Sequence, residues 1–285
     1  MRTDHIAKLA VKYMDYEMIK AHTLLPVYPE IRTRLLFAFL QRNPKQAEHS
    51  EICALATSLA QLGLDTHDMV TSTPNQELIG QARSRQLKVL AGDYFNSRFY
   101  HLLSHIGRID IIQLVSTAIS EVNRIKMNFY ERFRAMKLTA EEYLEQSVLM
   151  RTPLFLAFSQ YIPEQYRKNW PELLNVLTRC EVLQNELERS DSYEAFRDSW
   201  AFCYMQDVVS PVDRERLIHV DKSGVISLMT KFNVHGILMD MLQTYIQQAI
   251  RMLENLDSDV LKSEITTIIQ SLNSSVTIPQ VAKEI

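Results

Sequence analysis

The sequence predicts an all-α fold, and three observations carry that expectation. Apolar residues recur at three- and four-residue spacing in segment after segment, the repeat of a helix face, and clear alternating strand patterns are missing. Only 6 glycines and 9 prolines interrupt 285 residues, so the stretches between breaks are long. An apolar content of 46% supplies a substantial core and excludes a disordered chain. Stretches of about 15–25 residues exceed the mean helix of about 11–12, and long helices with short connections imply a bundle. With no composition shift and no internal repeat, residues 1–285 are expected to form a single-domain helical bundle.

The elements follow in order. The N-terminal "MRTDHIAKLAVKYMDYEM" mixes apolar and charged residues within every turn, so neither a signal peptide nor a membrane span is expected. After a break at "RNPKQAEHS" (42–50), the stripe Ile52, Leu55, Leu59, Leu62, Thr66 and Val70 reads as one core-facing helix. A break at 71–80 precedes the helical run "RSRQLKVLAGDYFNSRFYHLLS" (83–104). Beyond "SHIGRID" (104–110), Ile111, Leu114, Val115, Ala118, Val122, Ile125, Phe129 and Phe133 form a second stripe. "MKLTAEE" (136–142) holds a helix start in which Thr139 accepts the Glu142 amide and Glu142 bonds back, a capping box. Further breaks fall at 161–172, 210–224 and near 254–259, bounding helices over 170–191 and 229–272.

Charge and composition narrow the function. A net charge of −3 from nearly balanced acids and bases gives no footprint for a polyanion, so nucleic acid is not an expected partner. Cys53, Cys180 and Cys203 have no metal-clip spacing and cannot all pair, which suggests a reducing, cytoplasmic setting. No serine elbow, phosphate-binding glycine loop, Cys-His nucleophile or H-E-x-x-H appears. His101 and His105 are one turn apart among leucines and read as a half-buried structural pair. The methionines of "VHGILMDMLQTYIQQAIRML" (234–253) read either as ordinary core or as an adaptable face for a lipid-like chain or partner helix.

Two motifs are more specific. "LGLDTHDMVTSTPN" (62–75) ends an apolar helix with His67-Asp68, and "RQLKVLAGDYF" follows after a short loop, with Gly92-Asp93 inside it. This order resembles the trans-polyprenyl diphosphate synthases of the isoprenoid synthase fold, where an apolar helix ends in H-D-D-x-x-D and a later one carries A-V-L-x-G-D. "AEEYLEQSVLMRTPLFLAFSQYI" (140–162) and 229–272 are similar to that family's later segments, so the likeness covers roughly 50–272 in the right order. Within the family, the chain most resembles the smaller component of two-component heptaprenyl or hexaprenyl diphosphate synthases. The resemblance implies a non-catalytic or regulatory subunit, needed with an aspartate-rich catalytic subunit to condense isopentenyl diphosphate onto an allylic diphosphate. It further implies a product that serves as the menaquinone side chain, and at most peripheral contact with a membrane.

The departures from the family pattern carry the chemistry. In its catalytic members Mg²⁺ bridges carboxylates and substrate phosphates, neutralising the departing diphosphate. Laid on this chain, H-D-D-x-x-D falls on His67, Asp68, Met69 and Ser72, so one carboxylate survives. Asp65 lies one turn before Asp68, which leaves those two as a weak two-carboxylate site or as a polar helix end. Residues 71–82 contain no arginine or lysine where the family has Arg-Arg-Gly, and Arg83 and Arg85 are expected on the exposed face of the next helix. The family's Lys-Thr pair is matched by Arg151-Thr152, with Arg151 either a phosphate contact or a rim ion pair. For the second acidic motif, "LQNELER" offers Glu186 and Glu188, and "MQDVVSPVD" offers Asp207 and Asp213 across Pro211. The expected site is therefore a degenerate pocket of Asp65, His67, Asp68, Gly92, Asp93, Arg151 and Thr152. No catalytic residue or metal is expected on this chain alone, with Mg²⁺ on the partner subunit. A self-sufficient weak prenyltransferase or lyase, or a helical scaffold without prenyl chemistry, are the alternatives.

Overall fold

Every regular element among the described residues is helical, as the apolar spacing requires. The structure, a computed structural model, describes residues 3–22, 24–70, 79–190, 192–210, 214 and 217–276. The expectations placed on Ser72, Pro211 and Asp213 lie outside them. In chain order the helices are α1 (Thr3–Met14), α2 (Glu17–His22), α3 (Glu30–Leu40), α4 (Ser50–Asp68), α5 (Ile79–His105), α6 (Ile109–Arg134) and α7 (Ala140–Leu149). There follow α8 (Pro153–Leu156), α9 (Asn169–Ser190), α10 (Trp200–Val208), α11 (Lys222–Lys231), α12 (Val234–Glu254) and α13 (Asp259–Val276). Short 3₁₀ turns stand at Ala157–Tyr161, Glu164–Tyr166 and Phe196–Asp198. None of the described helices is long and apolar enough to cross a membrane.

Two compact units form. The first takes residues 1–121 and 153–171, and the second 122–152 and 172–285.

At the centre of the first unit stands α4, against which α1, α3, α5 and α8 pack. Every residue from Cys53 to Leu64 is buried, so the single apolar stripe read from the sequence becomes a helix enclosed all round. Its polar side chains bond within the fold: Thr57 Oγ1 donates to the Cys53 carbonyl at 2.8 Å, and Ser58 Oγ accepts the Tyr28 hydroxyl at 2.9 Å. Enclosure is what a buried polar group tolerates only when paired. Beside it, Phe39 meets Trp170 edge-on with ring centroids 5.3 Å apart. The start of α6 is clamped by Arg108, whose guanidinium donates to both carboxylate oxygens of Asp110 (2.9 and 2.8 Å) and to Gln46 (2.6 Å). The Arg108 hydrogen bonds hold the Asp110 carboxyl well below the usual carboxylate range.

Helices α5 and α6 end in the same way with different residues. At the α5 end Arg108 N bonds the Leu103 carbonyl and Gly107 N the Ser104 carbonyl; at the α6 end Lys137 N bonds Arg132 and Met136 N bonds Phe133. Both are Schellman closures, which place one residue in the left-handed region. At α5 that residue is Gly107 (φ +69°), which has no Cβ to strain; at α6 it is Met136 (φ 51°), 47% exposed and so contributing little packing. Met136→Gly is expected to stabilise the protein by about 1 kcal/mol, since removing the Cβ strain outweighs the lost partial burial. Thermal unfolding should read this as a midpoint raised by roughly 2–4 °C.

In the second unit α7 opens with the expected capping box: Thr139 Oγ1 accepts the Glu142 amide at 3.2 Å, and Glu142 accepts the Thr139 amide at 3.1 Å. α7 packs on α10, and each helix start is met by a carboxylate from elsewhere in the unit. Asp207, near the end of α10, accepts the Ala140 amide at 2.8 Å, and Glu186 of α9 accepts the Trp200 amide at 2.7 Å. Negative charge at a helix start is favourable because the first amides point at it unpaired.

Candidate functional site

The two sequence motifs of the first unit meet along α4 and α5, the most extensively packed helix pair. Two glycines let them meet. A Cβ on Gly63 would lie 2.7 Å from Asn96 Oδ1 and 3.1 Å from the Gly92 carbonyl oxygen; one on Gly92 would lie 2.6 Å from the His67 ring. The His67 imidazole therefore rests on the bare Cα of Gly92, and its Nε2 stands 3.3 Å from Asp93 Oδ1. One turn further, Lys88 Nζ donates to the Met69 carbonyl at 3.2 Å, putting a cation at the C-terminal end of α4. His67, Gly92 and Asp93, three of the seven expected pocket positions, are thus a single contact.

The remaining acids of α4 are placed differently. Asp65 is half-buried, and its Oδ1 accepts the side-chain amide of fully buried Gln61 at 2.9 Å. Asp68 is exposed on the last turn of α4. Met69 follows directly and offers no hard oxygen. Among the described residues there is no group of three or more His, Cys, Asp or Glu side chains able to hold a metal ion.

Arg151 and Thr152 belong to the second unit, in the turn that follows α7. Thr152 is 3% exposed, while half-buried Arg151 folds back along its own helix, Nη1 donating to the Ser147 carbonyl at 2.8 Å. The acids proposed for a second metal motif also lie in this unit. Glu186 is 5% exposed and points inward: Oε1 accepts the Tyr143 hydroxyl at 3.0 Å, Oε2 the Trp200 amide at 2.7 Å, and Arg189 stands 3.6 Å away. Burial, with the Glu186 charge beside it, pushes the Tyr143 hydroxyl pKa well above the ordinary range. Asp207 is bound to the Ala140 amide. Both carboxylates serve helix starts.

Other chemistry finds little material. Cys53, Cys180 and Cys203 are buried thiols, each pushed up to about 12 by desolvation, so none is a thiolate nucleophile. His101 and His105 stack with centroids 6.2 Å apart but are exposed, not half-buried as their leucine neighbours suggested. Arg83 is exposed as expected, whereas Arg85 is half-buried. Met239, Met241 and Met252 of α12 are half-buried, which suits either reading of that helix.

Several residues that shape these places were not singled out from the sequence. Gly63 was signalled as a glycine within an apolar helix four residues before His67, but its counterpart Gly92 lies 29 residues away. Two arginines of α3, Arg32 and Arg34, are 5% and 4% exposed; Arg32 stacks over the Phe155 ring at 5.2 Å and Arg34 pairs with Glu30 at 3.3 Å. The Arg-x-Arg inside an apolar run was the available signal.

The sequence matches the family described as heptaprenyl diphosphate synthase (HEPPP synthase) subunit 1 over residues 16–233. A relative, heptaprenyl diphosphate synthase component 1 of Geobacillus stearothermophilus, is 38% identical over 89 residues, which span 31% of this chain and 37% of that protein. Among solved structures, geranylgeranyl pyrophosphate synthetase from Pyrococcus horikoshii superposes with a TM-score of 0.70 at 14% identity, covering 95% of each chain. Heptaprenyl diphosphate synthase from Staphylococcus aureus gives 0.66 at 12% identity, covering 96% of this chain and 98% of the other. At such identities the two structures share the fold with this chain.

Proposed function

Since the chain belongs to the heptaprenyl diphosphate synthase subunit 1 family, we propose that it is the non-catalytic, regulatory subunit of a heteromeric medium-chain polyprenyl diphosphate synthase. The observation that carries this reading is the fate of its acids. Where a metal-dependent synthase needs clustered carboxylates, Asp65 is bound to Gln61, Asp68 stands beside Met69, and Glu186 and Asp207 hold helix starts. Charge stabilisation by preorganised groups is usually the largest catalytic contribution, and here the groups that would supply it are otherwise engaged.

The partner in this reading is an aspartate-rich synthase subunit that brings Mg²⁺ and both complete motifs. Mg²⁺ bound on that partner would supply charge neutralisation for the diphosphate that leaves the allylic substrate when isopentenyl diphosphate condenses with it. This chain contributes surfaces and a cation. In this reading Arg151, beside the buried Thr152, meets a phosphate through charge-assisted hydrogen bonds. The His67–Gly92–Asp93 contact holds the end of α4 against α5, so the vestige of the first motif does structural work. The product is a side-chain precursor for menaquinone, made in the cytoplasm and released toward a membrane that the complex touches at most peripherally.

Assembly tests the proposal. Mixed with its aspartate-rich partner, the chain should elute with it as one hetero-oligomer, the interface burying on the order of 800 Å² per partner, as stable complexes do. Separate elution, with elongation by the purified single chain in Mg²⁺, would favour a self-sufficient enzyme using Asp65 and Asp68.

A further inference from the structure

We propose that Tyr143 and Glu186 form a positioning pair for Arg151, setting the direction in which its guanidinium meets substrate diphosphate. This rests on the reading of Arg151 as a phosphate contact. Tyr143, Ser147 and Arg151 follow one another at four-residue steps, so they line one face of α7 and its last turn. Arg151 Nη1 bonds the Ser147 carbonyl, which turns the guanidinium back along that face toward Tyr143. Rotation of α7 about its axis would swing all three together.

That rotation is fixed at Tyr143. Its ring packs against the stacked pair Phe129 and Phe133, with centroids at 5.5 and 6.0 Å, and its hydroxyl is shared between Glu186 Oε1 at 3.0 Å and the Asp198 carbonyl at 3.2 Å. Glu186 is itself immobilised by the Trp200 amide and by Arg189, which also reaches the Asp198 carbonyl. The acid nearest the expected second motif thus acts on the diphosphate through Tyr143 and Arg151, with no metal in its grasp.

The test is a double-mutant cycle on the assembled two-subunit enzyme, reading kcat and KM for isopentenyl diphosphate and for the allylic diphosphate. Arg151→Ala should raise KM for one diphosphate by about tenfold, the scale of one charge-assisted hydrogen bond. Tyr143→Phe, which keeps the ring, should raise the same KM several-fold with kcat within about a factor of two, and should add nothing further in the Arg151→Ala background. Glu186→Gln should reproduce the Tyr143→Phe effect more weakly and serves as the second probe if that variant folds poorly. An unchanged KM in Arg151→Ala, or the same multiplicative effect of Tyr143→Phe with and without Arg151, overturns the assignment. A wild-type mixture without activity overturns the functional reading itself, before any variant is made.

Discussion

Glu186→Leu is expected to cost the protein about 2–3 kcal/mol, a large fraction of the about 5–15 kcal/mol that separates folded from unfolded states. The side chain is 6% exposed and makes bonds with both oxygens. Leucine fills similar volume but leaves the Trp200 amide without its acceptor, an orphaned buried donor that costs about 1–3 kcal/mol, while the Tyr143 hydroxyl keeps the Asp198 carbonyl at 3.2 Å. Arg189 also loses its carboxylate, a smaller matter because its side chain is 37% exposed and water can replace the partner. Glutamine is the informative control. It has one oxygen where the carboxylate has two, so it can keep the Trp200 bond while the Tyr143 hydroxyl turns to the Asp198 carbonyl, and should cost about half as much. Denaturant unfolding of both variants decides the matter: equal loss would mean that packing, not acceptance of two hydrogen bonds, is what Glu186 supplies.

Gly92→Ala is the second large effect, and its sign is set by competition. In a helix interior alanine is favoured over glycine by up to about 1 kcal/mol. Here the new methyl would stand 2.6 Å from the His67 ring, so the imidazole must leave Gly92 and its 3.3 Å pairing with Asp93. Overpacking of this kind costs about 1–3 kcal/mol, which exceeds the propensity gain, so the unfolding midpoint should fall by a few degrees. The cause is checked by adding His67→Ala, which removes the obstructing ring. The double variant should be more stable than Gly92→Ala alone, a coupling that only direct contact produces. Loss that simply adds would refute the interlock of α4 and α5.

These two cases also show how far the chain can be read before it is folded. The helical class was legible because its signal is local: apolar residues at three and four residues need no partner to be recognised, and the Thr139–Glu142 box is four residues long. Breaks were legible for the same reason. Enclosure of α4 was not, because Ala54, Ala56, Ser58, Ala60 and Gly63 carry little hydrophobic signal yet are what lets other helices approach closely. At the candidate site His67, Gly92 and Asp93 were named among the expected pocket positions, but the reason they touch, two glycines facing across helices, depends on register. Glu186 and Asp207 were visible as acids near the second motif. That Glu186 turns inward to the start of α10, and that exposed Asp207 meets the start of α7, depends on which faces of α9 and α10 meet the core, and sequence leaves that direction open.

The central claim is that this chain is required for polyprenyl elongation while the metals and chemistry reside on another subunit. Its most direct measurement is a titration of turnover, with Mg²⁺, an allylic diphosphate and isopentenyl diphosphate held constant. The aspartate-rich partner is fixed and this chain is added from zero through excess. The account predicts no elongation from either protein alone, a rise in turnover with added chain, and a plateau at a fixed molar ratio. Elongation by this chain alone, or full turnover by the partner without it, would contradict the account.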